Sequence, residues 1–269
     1  MLQRKYILIV LLIIFFSENI TAQLRMGFTA GTLLTTNTLN HAEIGVINQS
    51  IPCFCGVKQV ETKPVLLYSA GFTVDYVLSD EFFISTKALF AAKGWNEKTH
   101  YADFNAGSSA VAYDSKDKYR LNYFELPVYF VFSSALGSKD AKFNIGFGGY
   151  VDFALSGKYQ FHLLSSQNIT NSSGALTDNA NEDGLVVLKD SSNLIAINSL
   201  QNKTTNYRAN SFDIGASVLL GIELGNGFHY DLSLFNSFRN VITGGFYPYP
   251  RTNRFIGISL SVGYYIDKK

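Results

Sequence analysis

Cysteine, proline and charge are all sparse in this chain of 269 residues: two cysteines, five prolines and 16% charged residues. Two cysteines cannot build a disulfide framework. Cys53 and Cys55 are one residue apart, and a bridge between them would close a very small, strained ring. They are read as a loop pair, oxidised or free, and a possible disulfide. A metal site would need further ligands close by, and none stands near them. The four histidines fall in no nucleophile or metal motif. No cofactor, metal or catalytic residue is therefore expected, and the chain is read as not an enzyme. After the N-terminal segment no stretch reaches the roughly 20 apolar residues of a helical span. A basic excess is absent too, and with it the usual footprint of a nucleic-acid binder.

The N-terminal segment reads as a secretory signal. Arg4 and Lys5 form a positive start, residues 7–16 are apolar, and Thr21-Ala22 is a small-residue cleavage site before Gln23. No Cys follows the apolar run, so a lipoprotein anchor is not expected. Taking residues 1–22 as signal removes two of 22 bases and one of 21 acids, which leaves 20 of each.

What the chain does have is aromatic residues, glycine and alternation: 22 Phe, 16 Tyr and 22 Gly. Near the C-terminus Ile256, Ile258, Leu260, Val262, Tyr264 and Ile266 alternate with Phe255, Gly257, Ser259, Ser261, Gly263 and Tyr265. Period two over that length marks a strand, because successive side chains leave it on opposite faces. The same signature recurs at about 24–34, 65–78, 82–92, 118–132, 143–158, 212–223 and 228–239, giving eight strands. Ser79-Asp80 and Gly225-Asn226-Gly227 read as tight turns. Pro127 within the fourth strand predicts a bulge or a missing ladder bond. The connections alternate long and short, the long ones at about 35–64, 96–117, 161–206 and 241–253. In an up-and-down meander all long connections then fall at one end.

That pattern predicts an all-β fold, an eight-stranded antiparallel up-and-down transmembrane β-barrel over residues 23–269 with long outer loops. A soluble barrel of lipocalin type would put the apolar faces inside. Its outside would then be the Gly- and Ser-rich face, which suits a crowded interior better. Aromatic residues near the short-turn ends (Tyr76, Phe82, Phe130, Phe132, Phe143, Phe228, Tyr230, Tyr264) fit an interfacial girdle. The inner face is expected to carry a charge network that fills the lumen: Arg25, Asp75, Lys87, Lys93, Glu125, Asp152, Lys158, Asp213, Glu223, Asp231 and Arg239. Buried charge needs a partner, so these should pair across the barrel, with His229 beside Asp231. The alternative is a network lining a narrow conductance, though eight strands leave an interior only about wide enough for side chains.

Several segments resemble the PorT-like outer-membrane β-barrel family of Bacteroidota: Tyr123-Phe-Glu-Leu-Pro127, Gly146-Phe-Gly-Gly-Tyr-Val-Asp152, Phe212-Asp-Ile-Gly215 with Gly221-Ile-Glu223, and Val262-Gly-Tyr-Tyr-Ile266. The likeness extends over almost the whole chain after residue 22. It implies an eight-stranded barrel in the cell outer membrane, and one branch of the family is linked to type IX protein secretion. The long third loop and the Cys-Phe-Cys segment depart from that pattern. The partners expected are outer-membrane lipid and envelope or secretion-complex proteins. An apolar stretch of the third loop, Leu185, Val186, Val187 and Leu188 with Leu194, Ile195 and Ile197, is a candidate partner patch; packing on the barrel rim is the structural alternative. His41, His100 and His162 lie in or beside the outer loops, the one place a site for an outer-membrane enzyme would sit.

Overall fold

The computed structural model describes residues 23–38, 41–44, 57–104, 110–137, 141–168, 181–188, 196–198, 203–205, 208–244 and 253–266. Residues 1–22, Cys53, Cys55, Leu194 and Ile195 lie outside them. Eight long strands form the frame: β1 (Gln23–Asn37), β2 (Val65–Val77), β3 (Phe82–Phe104), β4 (Ala110–Ala135), β5 (Ala141–Asn168), β6 (Phe212–Leu224), β7 (Phe228–Ser237) and β8 (Phe255–Tyr265). Each pairs antiparallel with its neighbours in sequence, and β8 pairs with β1 from Gly27↔Tyr265 to Asn37↔Phe255. The strands therefore close into a ring of eight, which leaves no frame strand with a free edge. Among the described residues no helix is long and apolar enough to cross a membrane.

The ring is inside out relative to a soluble protein. Ile256, Ile258, Leu260, Val262 and Tyr264 of β8 are exposed, and so are Phe28, Phe72, Phe90, Phe130, Phe147 and Leu232 on other strands. The alternate positions are buried and largely polar, among them Thr73, Asp75, Ser85, Lys87, Lys93, Asp152 and Asp231. Exposed aromatic rings pair along the outside, Phe28 with Phe72 and Phe228 with Tyr264, each at 5.1 Å between centroids.

At one end the connections are short. The first spans four residues, not two: Leu78 and Ser79 donate their N–H to the carbonyl of Phe82, and the Ser79 hydroxyl accepts from the N–H of Glu81 and Phe82. The turn between β6 and β7 ends on Gly227 at φ 93°, a conformation glycine adopts without steric cost. Opposite Pro127 the ladder lapses between Thr86↔Val128 and Leu89↔Glu125 without a change of register. This is the effect expected of a residue with no N–H to donate.

The other end departs from the expected loops. β3, β4 and β5 run on well past the apolar band, so most of 96–117 is paired strand. The exposed face is apolar over 82–92 on β3, 124–132 on β4 and 143–155 on β5, and polar beyond. Roughly eleven residues at ~3.3 Å each, tilted about 45°, rise about 25 Å, the height of a bilayer-facing band. Loss of apolar alternation therefore marks where the strands leave hydrocarbon, not where they end. The projecting hairpin is widened by Val57–Lys63 along β3 and by Asn181–Leu188 along β5. His41–Ile44 adds to the outer edge of the first of these. Leu185, Val186, Val187 and Leu188 thus lie on a paired strand, and Ile197 on the short strand Ala196–Asn198.

Candidate functional site: the interior of the ring

The buried face places ion pairs in successive layers along the ring axis. Nearest the short turns, the Arg25 guanidinium donates to Glu223 at 2.8 and 2.9 Å and to Asp75 at 3.0 Å. Its planar fork suits such multiple pairing. The same group lies over the rings of Phe83 at 5.1 Å and Tyr265 at 4.6 Å, and the Tyr265 hydroxyl donates to Asp75 at 2.5 Å. Five strands (β1, β2, β3, β6 and β8) thus meet at one cation. The His229 ring lies tilted at 32° against Tyr265 with centroids 4.5 Å apart and stands 3.7 Å from Asp231.

In the next layer Lys87 donates to Asp231 at 2.7 Å across the ring, from β3 to β7. Tyr129 and Ser217 share a hydrogen bond of 3.0 Å there. One layer further out Lys93 Nζ donates to Asp152 at 2.7 Å and lies 2.6 Å from Glu125 Oε2. The Glu125 contact is an ion pair that is out of line for a hydrogen bond. The ammonium also sits over the rings of Tyr150 at 4.5 Å and Phe235 at 4.6 Å. Asp213 accepts from the Ser237 hydroxyl at 2.5 Å, from the Ile214 N–H at 2.8 Å and from Tyr150 at 3.4 Å.

Lys158 and Arg239 are not part of this network. Both are exposed. On β5 the pairing steps from Asn122↔Ser156 to Tyr123↔Ala154, which leaves Leu155 as an extra residue. A bulge of one residue reverses which side later side chains take, so strict alternation counted from Asp152 places Lys158 on the wrong face. Arg239 lies beyond the end of β7 at Ser237 and stacks over Phe212 at 5.4 Å. The interior charges are consequently far from balanced. Asp75, Glu125, Asp152, Asp213, Glu223 and Asp231 face three bases, Arg25, Lys87 and Lys93.

Above the charges is an aromatic layer that the sequence reading missed. Trp95 stacks on Tyr119 at 4.5 Å and meets Phe255 edge-on at 5.7 Å, while Tyr123 approaches Phe255 at 6.0 Å. Leu33, Leu121, Tyr150, Phe235 and Val241 complete this cluster. The signal was present as alternation of Trp95, Glu97 and Thr99 with Asn96, Lys98 and His100, but with polarity opposite to the lipid-facing part. Glycines make room for the rings: a Cβ on Gly257 would come within 2.5 Å of Phe235 Cζ. A groove of ≈ 520 Å³ lies on the apolar outside, over Leu34, Ala216, Val218, Leu234 and Ile258, and not within the ring.

Elsewhere, His100 Nδ1 lies 2.6 Å from Asp114 Oδ1 on the outside of the projecting hairpin, and His162 is exposed there. The side chain of His41 is outside the described residues. No group of three or more His, Cys, Asp or Glu among the described residues is placed to hold a metal ion.

The chain aligns with two solved structures of Ail, the attachment invasion locus protein of Yersinia pestis. The first covers 90% of this chain and 98% of that one at 10% identity and a TM-score of 0.36. The second, in complex with the heparin analogue sucrose octasulfate, covers 91% and 99% at 9% identity and a TM-score of 0.36. The translocator domain of autotransporter NalP from Neisseria meningitidis covers 92% and 90% at 10% identity and a TM-score of 0.21. No curated protein matches. The model of the outer membrane protein beta-barrel domain matches residues 16–242, well over half of a chain whose apolar faces turn outward around a closed ring, and the protein belongs to that outer-membrane β-barrel family.

Proposed function

We propose that this protein is an outer-membrane barrel with a filled, non-conducting interior, and that it works through what it presents outside the membrane. One observation carries this reading: side chains cross the interior at every level. Arg25 bridges β1 to β2 and β6, Lys87 bridges β3 to β7, Lys93 holds Asp152, and the Trp95–Tyr119–Phe255 stack closes the outer end. An open channel of eight strands would need these groups moved aside. Breaking a buried ion pair costs about 3–5 kcal/mol, so thermal opening of several layers at once is negligible.

The part left to act is the projecting sheet of β3, β4 and β5 with its flanking strands. Its role is structural or interactive and not enzymatic, and the PorT-like resemblance points to an accessory part in protein secretion. A leading signal at residues 1–22 would deliver the chain to the envelope. Planar-bilayer recording tests the filled interior: the purified protein should give no steady current. Ion-selective openings in most reconstituted bilayers would refute it and favour a narrow transport barrel. Cross-linking in cells followed by pull-down tests the accessory role, with envelope secretion components as the expected catch. Their absence from repeated experiments would remove that role while leaving the barrel intact.

A further inference from the structure

The outward face of the projecting sheet is basic just beyond the apolar band. On β3 the positions that continue the lipid-facing row are Asn96 and Lys98; on β4 they are Asn122, Arg120, Lys118 and Lys116. The bulge at Leu155 brings Lys158 to this same face of β5, directly across from Arg120. Register aligns them in rungs: Lys158 opposite Arg120, Lys118 opposite Asn96 and Asn96 opposite Lys63, then Lys116 opposite Lys98. Lys63, Lys98, Lys116, Lys118 and Lys158 are exposed. Like charges on neighbouring strands repel, and of these rungs only that of Lys98 also has an acid opposite it, Glu61.

Three acids share the face by register: Glu61, opposite Lys98 and 3.6 Å from Lys63; Asp183, opposite Gln160; and Asp114, paired with His100. Six cations, Lys63, Lys98, Lys116, Lys118, Arg120 and Lys158, leave it net basic. Arg120 is half-buried, and its guanidinium donates to the carbonyls of Trp95 at 3.1 Å and Tyr119 at 2.7 Å and to Asn96 Oδ1 at 3.0 Å. Those partners fix its direction without cancelling its charge, and burial lowers its pKa from the ordinary guanidinium value. A positioned cation at the lowest rung thus stands beneath a group of exposed ones.

Place decides the partner. The face looks sideways, as the lipid-facing row below it does, and its first cations follow closely on the apolar band, Arg120 four residues beyond Phe124 and Lys158 three beyond Leu155. At that height and direction the neighbours of an outer-membrane barrel are the headgroups of outer-leaflet lipids. We propose that this face binds the phosphate groups of an outer-leaflet glycolipid of lipid A type, whose acyl chains pack on the aromatic row of β3, β4 and β5 beneath. The proposal rests on the reading above that the long connections point outward.

The test uses the full-length protein folded into phosphatidylcholine nanodiscs containing diphosphorylated lipid A or its dephosphorylated form. Retained lipid is counted by native mass spectrometry at two salt concentrations. Folding is monitored by heat-modifiable gel mobility, so loss of the barrel is seen separately from loss of lipid. Wild type should retain the phosphorylated form preferentially, and less of it at high salt. Since each cation near an anionic headgroup layer contributes about a fivefold gain in affinity, the Lys98→Gln/Lys116→Gln/Lys118→Gln/Lys158→Gln variant should lose at least about tenfold of that preference while folding normally. Equal retention of the two lipids by wild type, or unchanged preference in the variant, would overturn the proposal. Binding of sucrose octasulfate from solution with no preference for lipid A would also overturn it, in favour of a soluble polyanion.

Discussion

Lys93 is the cation whose loss should be felt most. Its Nζ lies 2.7 Å from Asp152 and 2.6 Å from Glu125, and its side chain is 1% exposed against 0% for Asp152 and 13% for Glu125. Lys93→Met keeps the length and apolar stem of the side chain but leaves two carboxylates facing each other in the interior. Breaking a buried pair by removing one partner costs about 3–5 kcal/mol. Two acids share this cation, so the upper end of that range is expected. Replacing all three charges with neutral groups of similar shape removes the cause, since a whole buried ion set can be exchanged at little or no net cost. Lys93→Met/Glu125→Gln/Asp152→Asn should therefore recover most of the loss, to within about 1–2 kcal/mol of wild type. The assay is urea unfolding of the barrel in detergent micelles, followed by gel mobility and by tryptophan emission. Trp95 is the sole tryptophan and stacks on Tyr119 just above the triad, so its emission reports the affected layer. If Lys93→Met costs less than about 1 kcal/mol, or if the triple variant is as unstable as the single one, the triad does not hold the interior as argued.

Two further outcomes probe the two faces of the ring. Leu260 is at the middle of β8 and exposed to lipid, whereas Ser259 is on the inner side. Leu260→Lys should cost about 2–4 kcal/mol and reduce the yield of heat-modifiable barrel, while Ser259→Ala should stay within about 0.5 kcal/mol; equal tolerance at both positions would mean the faces are reversed. Gly257→Ala should lower stability by about 1–3 kcal/mol through overpacking against the Phe235 ring and the Leu34 carbonyl, and pairing it with Phe235→Leu should relieve the ring's share of that loss in the same urea titration; no relief would show that the carbonyl, and not the ring, is the obstacle.

Much of the membrane-spanning frame was legible because alternation is a local signal. Lipid on one side and packed polar groups on the other impose period two on every strand, and the same arrangement requires closure, since an open edge in hydrocarbon leaves backbone groups unsatisfied. The pairing of β8 with β1 follows from that requirement and is present from Gly27↔Tyr265 onward. The lapse opposite Pro127 was legible for an equally local reason, a missing N–H. Nine interior charges could be placed by counting twos along the strands.

What counting could not supply was decided by contacts between strands. The single extra residue at Leu155 turns Lys158 outward, which both unbalances the interior charge and adds a cation to the basic outer face. Bulges arise from pairing with a neighbouring strand, so no periodicity within β5 announces one. The strand ends of β3 and β4 were misplaced for a related reason. Above the hydrocarbon the outward residues become Asn96, Lys98, Arg120 and Lys118 while the inward ones become Trp95, Tyr119 and Leu121. That exchange of polarity reads as the end of an amphipathic strand unless the partner strand is in view. Local chemistry thus determined which side of each strand meets lipid. Only the assembled ring decided how far the strands continue, which charges meet inside, and that an aromatic layer covers them.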